Sequence, residues 1–242
     1  MKLALITNIP APYRIPIFNR IAAEMGSDFL VIFCARLEPD RQWDLPALEF
    51  EHRYLKERYA VRDRNKFVHN NPDVLAVLRR FRPDVVVTSG FNPTHLLCWL
   101  YTLCTSSRHV PMTDGWLHSE RGLSRLHRMV RRGVFRSSRA FLGASNASLD
   151  LFRSYGIDES HLFQSHLCID NDRFTATSGQ RDRKYDLMYS GQIVEGKLPD
   201  FFVEVVGRVK KALGSVSVLV IGDGQMYAGS PIRPYISPES CA

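Results

Sequence analysis

The chain has 242 residues, of which 45% are hydrophobic and 24% are charged, the proportions of an ordinary globular protein. Its longest apolar stretch, Leu96 to Cys104, is too short to cross a bilayer as a helix, which takes about 20 residues. The formal net charge of +7 predicts an anionic partner, but it does not choose among nucleic acid, anionic lipid and a phosphorylated substrate.

The apolar run that follows Lys2 is brief, so we expect no secretory signal peptide. The five cysteines are odd in number and show no CxxC spacing. This pattern predicts reduced thiols in a cytoplasmic protein, with neither a disulfide framework nor a zinc site.

Short apolar runs alternate with amphipathic stretches along the chain, as in parallel sheets built from crossover connections. We predict strands at Leu3–Thr7, Leu30–Cys34, Val85–Ser89, Val110–Thr113, Ala140–Ala144, Leu162–His166, Leu187–Ser190 and Val216–Ile221. We predict helices near residues 14–25, 71–81, 93–105, 118–137, 146–155 and 198–213. The fold class is therefore α/β.

The strands are distributed unevenly between two predicted domains. Residues 1–174 hold about six strands and form a complete domain, and the polar segment 175–184 is predicted to be a linker. Residues 185–225 hold only two strands and one helix, which is less than an independent sheet needs. We expect this second domain to be truncated and residues 226–242 to be irregular or disordered.

The loop between the first strand and the first helix lies where open parallel sheets bind ligands. Three prolines stiffen it, and Tyr13 and Arg14 are predicted to project from it. The local sequence favours a rigid turn with a solvated arginine, and leaves a binding role open.

A second stretch of interest, Val110 to His118, contains a predicted strand and the residues that follow its carboxyl end. Asp114 could accept a proton or orient a sugar hydroxyl, or it could cap the following helix. His95 likewise follows a strand, so the two residues form a possible polar cluster.

The predicted helix at 118–137 is rich in arginine. Seven arginines and no acidic residue lie between Arg121 and Arg139. Six of them fall on one stripe, because their spacing is three or four residues: Arg121, Arg125, Arg128, Arg132, Arg136 and Arg139. Leu123, Leu126, Val130 and Val134 are expected to pack on the opposite face.

Three interpretations of this arginine stripe remain open. It could be a solvated face, but like charges three or four residues apart repel one another. An anionic membrane surface would relieve that repulsion. Nucleic acid is disfavoured, because no recognised nucleic-acid fold or aromatic stacking pattern accompanies the stripe.

The stretch from Tyr189 to Lys197 follows a strand and precedes a helix. Gly191 would let a ligand approach the backbone, and the helix N-terminus together with Lys197 would attract a phosphate or diphosphate. An ordinary turn with a surface lysine is the equal alternative. The GxxxxGK[ST] spacing is missing, and Gly222-Asp223-Gly224 is not a complete GxGxxG fingerprint.

These stretches, in this order, resemble the retaining glycosyltransferases of family 4, which have the GT-B fold. The residues that carry the resemblance are LITNIPAPYRIPIFN, DGWLHSERGLSRLHRMVRRGVFRSSRAFLGAS, YGIDESHLFQSHLCIDNDRF, YSGQIVEGKLPDFFVEV and VLVIGDG, and they span roughly residues 1–225. The resemblance implies two Rossmann-like domains that face each other, with the acceptor held mainly by the first and the nucleotide-sugar donor mainly by the second.

The resemblance implies roles for Lys197 and Gly191, and the other candidate residues come from the stretches described above. Lys197 would hold the donor diphosphate beside Gly191, with Gln192, Gly222 and Gly224 near the donor. Tyr13, Arg14 and His118 are assigned to the acceptor, and Asp114 and His95 to catalysis. No metal and no cofactor are expected, and the departing diphosphate would be stabilised by the lysine and the helix N-terminus.

The chain departs from the family pattern at three places. Gln192 stands where the family commonly has arginine, and Thr113 stands where many members have histidine. A later region with two glutamates is absent. We therefore expect a cytoplasmic glycosyltransferase of surface-polysaccharide or glycoconjugate synthesis, peripheral at the inner membrane face, that acts on a glycan or lipid-linked acceptor. Because of the truncation, we expect reduced or no activity. The alternative is a non-catalytic module that binds acceptor or membrane.

Overall fold

The computed structural model describes residues 1–39, 41, 43, 45–63, 66–171 and 184–224, without the side chains of residues 62–66. They belong to two compact units, Met1–Thr175 and Ala176–Ala242. The predicted linker, except for Lys184, and the predicted tail at 226–242 lie outside the described residues.

The first unit is built on a seven-stranded sheet in which every neighbouring pair is parallel. Its strands are β1 (Leu3–Thr7), β2 (Phe29–Phe33), β3 (His52–Tyr54), β6 (Val85–Thr88), β7 (Arg108–Thr113), β8 (Phe141–Gly143) and β9 (Leu162–Gln164). Two further strands, β4 (Tyr59–Asp63) and β5 (Lys66–His69), form a separate antiparallel hairpin. The spatial order of the sheet is β3-β2-β1-β6-β7-β8-β9. The predicted α/β class with a parallel sheet is confirmed.

Six helices connect these strands: α1 (Ile15–Met25), α2 (Val74–Phe81), α3 (Pro93–Leu103), α4 (Leu117–Arg121), α5 (Arg125–Ser137) and α6 (Asn146–Ser154). Phe18 of α1 packs with Leu5 and Val31 on one face of the sheet. Leu78 of α2 and Cys98 of α3 pack on the other face, and α5 and α6 continue that layer over β8 and β9. The sheet is therefore covered unequally on its two faces.

Two features of the first unit differ from the sequence predictions. Strand β3 and the hairpin were not predicted, because their short runs carry charged residues and lack a clear apolar period. The single helix predicted at 118–137 is two helices, because Gly122 to Ser124 interrupt it. The hydroxyl of Ser124 caps α5 by accepting from the His127 backbone N–H at 3.4 Å.

The second unit contains β10 (Leu187–Ser190) and β11 (Val218–Ile221), which pair in parallel, and the crossover helix α7 (Pro199–Leu213). Its described core is small and centres on Ile193 and Val220, with Tyr189 and Phe202 packed against it. Met188 on β10 is 61% exposed, so one face of this sheet keeps apolar surface in contact with water.

This difference in burial predicts unequal local stability in the two units. Amides of β1 and β2 should exchange hydrogen slowly, because their strands are buried on both faces of the sheet. Amides of β10 and β11 should exchange much faster, because few apolar contacts hold them. Native-state hydrogen exchange with mass spectrometry measures both, and equal protection would contradict this expectation.

Candidate functional site

A cavity of about 420 Å³ opens at the carboxyl edge of the seven-stranded sheet. One wall comes from residues that end or follow five strands of that sheet, all of them polar except Ala144: Thr7, Asn8, Ser89, Thr113, Asp114, Ala144, Ser165 and His166. The cavity continues as an apolar groove beside α1, along Ile17, Ile21 and Met25. A hydroxyl-rich ligand with a less polar part would match this lining.

The proline-rich loop brings both of its predicted residues to this cavity. Backbone bonds from Ala11 N–H to Ile9 O and from Arg14 N–H to Ala11 O fold the loop into successive turns. Tyr13 is 45% exposed, whereas Arg14 is partly buried, with Nη1 3.9 Å from Met112 Sδ. The arginine is therefore part of the cavity wall, and the expectation of a solvated arginine is wrong.

Asp114 follows β7 and also lines the cavity. The alternative role as a helix cap is wrong, because α4 begins at Leu117 and Ser119 Oγ accepts the backbone N–H of Trp116 at 3.1 Å. Asp114 is exposed. The catalytic role predicted for Asp114 stays a prediction.

His95 lies in the first turn of α3, is 2% exposed and does not line the cavity. The side chain of Asn92 caps this turn by accepting the His95 backbone N–H at 3.2 Å. Neither ring nitrogen of His95 has a partner among the described residues. Burial lowers the pKa of His95 to about 3, and repulsion from His69 or His109, when either is protonated, would lower it further. The imidazole is therefore neutral, and the structure does not bring it together with Asp114 in one cavity wall.

His118 is exposed and stacks on Trp116, with ring centroids 5.1 Å apart and an interplanar angle of 25°. It does not line the cavity that holds Tyr13 and Arg14. Its predicted acceptor role stays a prediction.

The predicted donor turn lies in the second unit. Gly191 has φ of +151°, a conformation that favours glycine, and a Cβ there would meet no atom within 4 Å. Lys197 is exposed at the end of a short 3-10 turn, Glu195–Lys197, just before α7. The N-cap residue of α7, Leu198, makes no side-chain cap hydrogen bond, and Asp200 lies in the first turn of this helix. The Tyr189 hydroxyl donates to Gln192 O at 2.9 Å and steadies the turn.

Gly222 and Gly224 have a packing role. A Cβ on Gly222 would overlap Gly191 O, and a Cβ on Gly224 would overlap Ile193 O. Gly191 N–H donates to Ile221 O and Ile193 N–H donates to Asp223 O, both at 2.9 Å. These glycines therefore allow the two loops to pair closely. Their predicted contact with a donor stays a prediction.

All six arginines of the predicted stripe are exposed, although Arg121 belongs to α4 and Arg139 follows α5. The seventh, Arg131, is partly buried, pairs with Glu120 and lies over the Phe91 ring at 4.5 Å. Tyr155 also donates to Glu120, at 2.7 Å. One arginine is thus neutralised by a residue just outside the acid-free segment.

The predicted inward orientation of Leu126 is wrong, since this side chain is 62% exposed. The core contacts of α5 come from Val130, Val134 and Phe135, further along the helix. Exposed apolar side chains therefore lie in the same segments as the exposed arginines, and they are Trp116, Leu117, Leu126 and Met129. No helix in the described part of the chain has the length and hydrophobicity to span a membrane.

Sequence reasoning missed two residues beside the cavity. Glu38 lines it and is 8% exposed, and Glu38 Oε1 lies 2.9 Å from Nε2 of the buried His69. Glu38 follows the end of β2, so the rule that identified Asp114 could have found it. His69 lies on the hairpin outside the sheet, and no local signal connects it with Glu38.

No protein-family model and no curated protein matches the sequence. Several solved structures do share the fold. Anabaena Alr3699/HepE in complex with UDP and glucose matches with a TM-score of 0.64 at 13% identity, over 97% of this chain and 63% of that chain.

Two further matches have the same character. The complex of S. aureus MnaA with UDP has a TM-score of 0.55 at 11% identity, over 97% of this chain and 64% of that chain. UDP-GlcNAc 2-epimerase from Methanocaldococcus jannaschii has a TM-score of 0.52 at 12% identity, over 91% of this chain and 65% of that chain. The chain thus shares its Rossmann-like fold with UDP-sugar-binding proteins and spans about 63% of the HepE chain.

The buried histidines predict a loss of stability in acid. Burial also lowers the pKa of His109, to about 4. Below the unfolded value near 6.5 the unfolded chain takes up protons that the folded chain refuses, so stability is full above that pH and falls toward the folded pKa values. Each histidine should contribute up to about 1.4 kcal/mol per pH unit, measured as the free energy of unfolding in urea between about pH 7 and 5.

A pair of variants isolates this contribution. His95→Leu should make the pH dependence shallower by up to about 1.4 kcal/mol per pH unit. His127→Gln, on the exposed face of α5, is the matched control substitution. Equal slopes for wild type and His95→Leu would contradict the assignment.

Proposed function

We propose that the chain is a retaining glycosyltransferase of the GT-B type, from family 4, that transfers a sugar from a nucleotide-sugar donor to a glycan or lipid-linked acceptor. Such a reaction belongs to surface-polysaccharide or glycoconjugate synthesis. The observation that carries the proposal is the fold shared with the UDP complex of HepE over 97% of this chain.

The donor half of the proposal rests on the turn before α7. An uncapped N-terminus of a 15-residue helix, an exposed lysine and an open approach at Gly191 suit the diphosphate of a nucleotide-sugar. When the bond from the sugar to the diphosphate breaks, negative charge grows on the departing oxygen. A fixed cation and the helix dipole stabilise that charge more than they stabilise the ground state. The mechanism needs no metal ion.

The acceptor half rests on the cavity at the carboxyl edge. Tyr13, Arg14 and Asp114 line it together and could hold acceptor hydroxyls. We assign Asp114 to the hydroxyl that attacks the anomeric carbon, because an exposed carboxylate can orient a hydroxyl and accept its proton.

Replacement of Lys197 by alanine should weaken binding of UDP. Loss of one charged partner of the diphosphate costs a factor of about 10 to 100 in affinity. Isothermal titration with UDP measures the effect. Lys210→Ala, at the exposed C-terminal end of the same helix, removes the same charge and should leave the affinity unchanged.

Two results would contradict the proposal. One is a wild-type chain that does not bind UDP, and the other is equal weakening by both substitutions. Product analysis after incubation with UDP-glucose and UDP-GlcNAc separates transfer or hydrolysis from epimerisation, and an epimerised nucleotide-sugar as the sole product would favour an epimerase.

A specific observation favours membrane contact, either as part of the enzyme's function or as that of a non-catalytic module. The exposed arginines of α4 and α5 occur in the same segment as three exposed apolar side chains. These are Trp116, which directly precedes α4, and Leu126 and Met129 on α5. Basic side chains attract anionic headgroups, and aromatic and aliphatic side chains insert at the interface. We assign this patch to the inner face of an anionic membrane.

The double variant Arg128→Glu/Arg132→Glu should lose binding to vesicles that contain phosphatidylserine. Each basic residue near the headgroups contributes about 1 kcal/mol, and charge reversal adds repulsion, so we expect a loss of more than about tenfold. Co-sedimentation measures it. Arg79→Glu/Arg80→Glu on α2 is the matched control, since both residues are exposed. Unchanged retention of the α5 variant would remove the membrane assignment.

A further inference from the structure

The pair formed by Glu38 and His69 joins two distant parts of the first unit. Glu38 follows β2 at the carboxyl edge, and His69 ends β5 of the separate hairpin. Glu38 Oε1 and His69 Nε2 are 2.9 Å apart, with His69 0% and Glu38 8% exposed. A carboxylate can only accept, so His69 Nε2 is the donor.

The second nitrogen of His69 indicates the charge of the pair. His69 Nδ1 is buried and has no partner among the described residues. A proton on Nδ1 would bury an unsatisfied N–H group, which is costly. The geometry therefore favours a neutral imidazole that donates from Nε2 and leaves the negative charge on Glu38.

A buried carboxylate is an expensive way to attach a hairpin, because an apolar pair of similar volume would serve that purpose as well or better. Glu38 is not sealed in the core, however. It forms part of the wall of the carboxyl-edge cavity, together with Asp114, Arg14 and Arg41. A contact between this carboxylate and a ligand in the cavity would explain why the free-energy cost of burying it is tolerated.

We propose that Glu38 is a substrate contact in this cavity, where its carboxylate accepts hydrogen bonds from hydroxyls of a sugar ring, and that His69 is the residue that positions it. This inference rests on the proposed function, because it gives the cavity to the acceptor. Charge-assisted bonds from hydroxyl to carboxylate are short and strong. Arg14 and Arg41 line the same cavity, but the carboxylates of Glu38 and Asp114 disfavour an anionic group beside Glu38, so we expect the ring there to be neutral.

Binding of simple sugars tests the proposal without any nucleotide. Saturation-transfer NMR with the whole chain compares methyl glycosides of glucose, galactose, mannose and N-acetylglucosamine with methyl glucuronide. We expect at least one neutral glycoside to bind and the glucuronide to bind more weakly. Glu38→Gln should weaken the best neutral ligand by about tenfold, because the charge assistance is lost while the side-chain volume is kept. Glu38→Ala should weaken it further.

Variants of His69 separate positioning from simple attachment of the hairpin. His69→Gln keeps an N–H donor and should retain most of the glycoside affinity, whereas His69→Leu should lose it. Val74→Ala, in the core on the opposite face of the sheet, is the stability control. It should lower the unfolding midpoint without changing glycoside binding. If His69 only stabilised the fold, glutamine would not be expected to restore glycoside binding that leucine abolishes.

The proposal is overturned if no neutral glycoside binds the wild-type chain, or if Glu38→Gln binds as well as wild type. UDP titration of the same samples distinguishes this failure from that of the proposed function. If the wild-type chain binds UDP but the Glu38 substitutions do not change glycoside affinity, only the assignment of Glu38 to the cavity ligand is lost. Absence of UDP binding with intact, Glu38-dependent glycoside binding contradicts the donor assignment and leaves Glu38 in place.

Discussion

The parallel pairing of β1 with both of its neighbours is the constraint on which the first unit depends. Ala4 and Ile6 face one side of the sheet and Leu5 the other, and none of them is more than 6% exposed. The backbone N–H of Lys2 donates to Asp84 Oδ2 at 2.7 Å and fixes the amino end of β1 against β6. Because all seven strands run in the same direction, the loops that follow them meet at one edge, where the cavity lies.

The helices decide which face of that edge stays accessible. Crossover connections between parallel strands are right-handed, so their direction across the sheet determines the face on which a helix packs. The step from β1 to β2 runs one way and places α1 on one face. The steps from β3 to β6 and onward to β9 run the other way and place α2, α3, α5 and α6 on the opposite face. The face beside α1 therefore has room for the groove that extends the cavity.

Buried polar groups tie the loops of this edge to the core. Thr94 Oγ1 donates to Asn71 Oδ1 at 2.8 Å, and Asn71 Nδ2 donates to Cys34 O at 3.0 Å. Elsewhere in the unit, His109 near the start of β7 bridges Thr88 and Ser138, with ring nitrogens 3.0 and 2.8 Å from their hydroxyls. Satisfied groups of this kind position a loop at little net cost. The Glu38–His69 pair differs from these ties, because Glu38 also lines the cavity and His69 Nδ1 has no partner among the described residues.

The sequence by itself determined the elements and the places where chemistry could occur. Apolar runs and turn residues predicted the main strands and helices, because those signals act over a few neighbouring residues. The position of a residue just after a strand placed Arg14, Asp114 and Lys197 at candidate sites for the same local reason. For Arg14 and Asp114, which both belong to the first unit, a shared edge then follows from the seven-stranded parallel sheet.

Only the tertiary structure decided which of these residues share a surface. It buried His95, exposed Leu126 and gave Arg131 a partner in Glu120. It also joined Glu38 to His69 across 31 residues. Burial and ion pairing depend on segments far apart in the chain, and a one-dimensional pattern records the spacing of residues along one element but not the neighbour that folding brings against it.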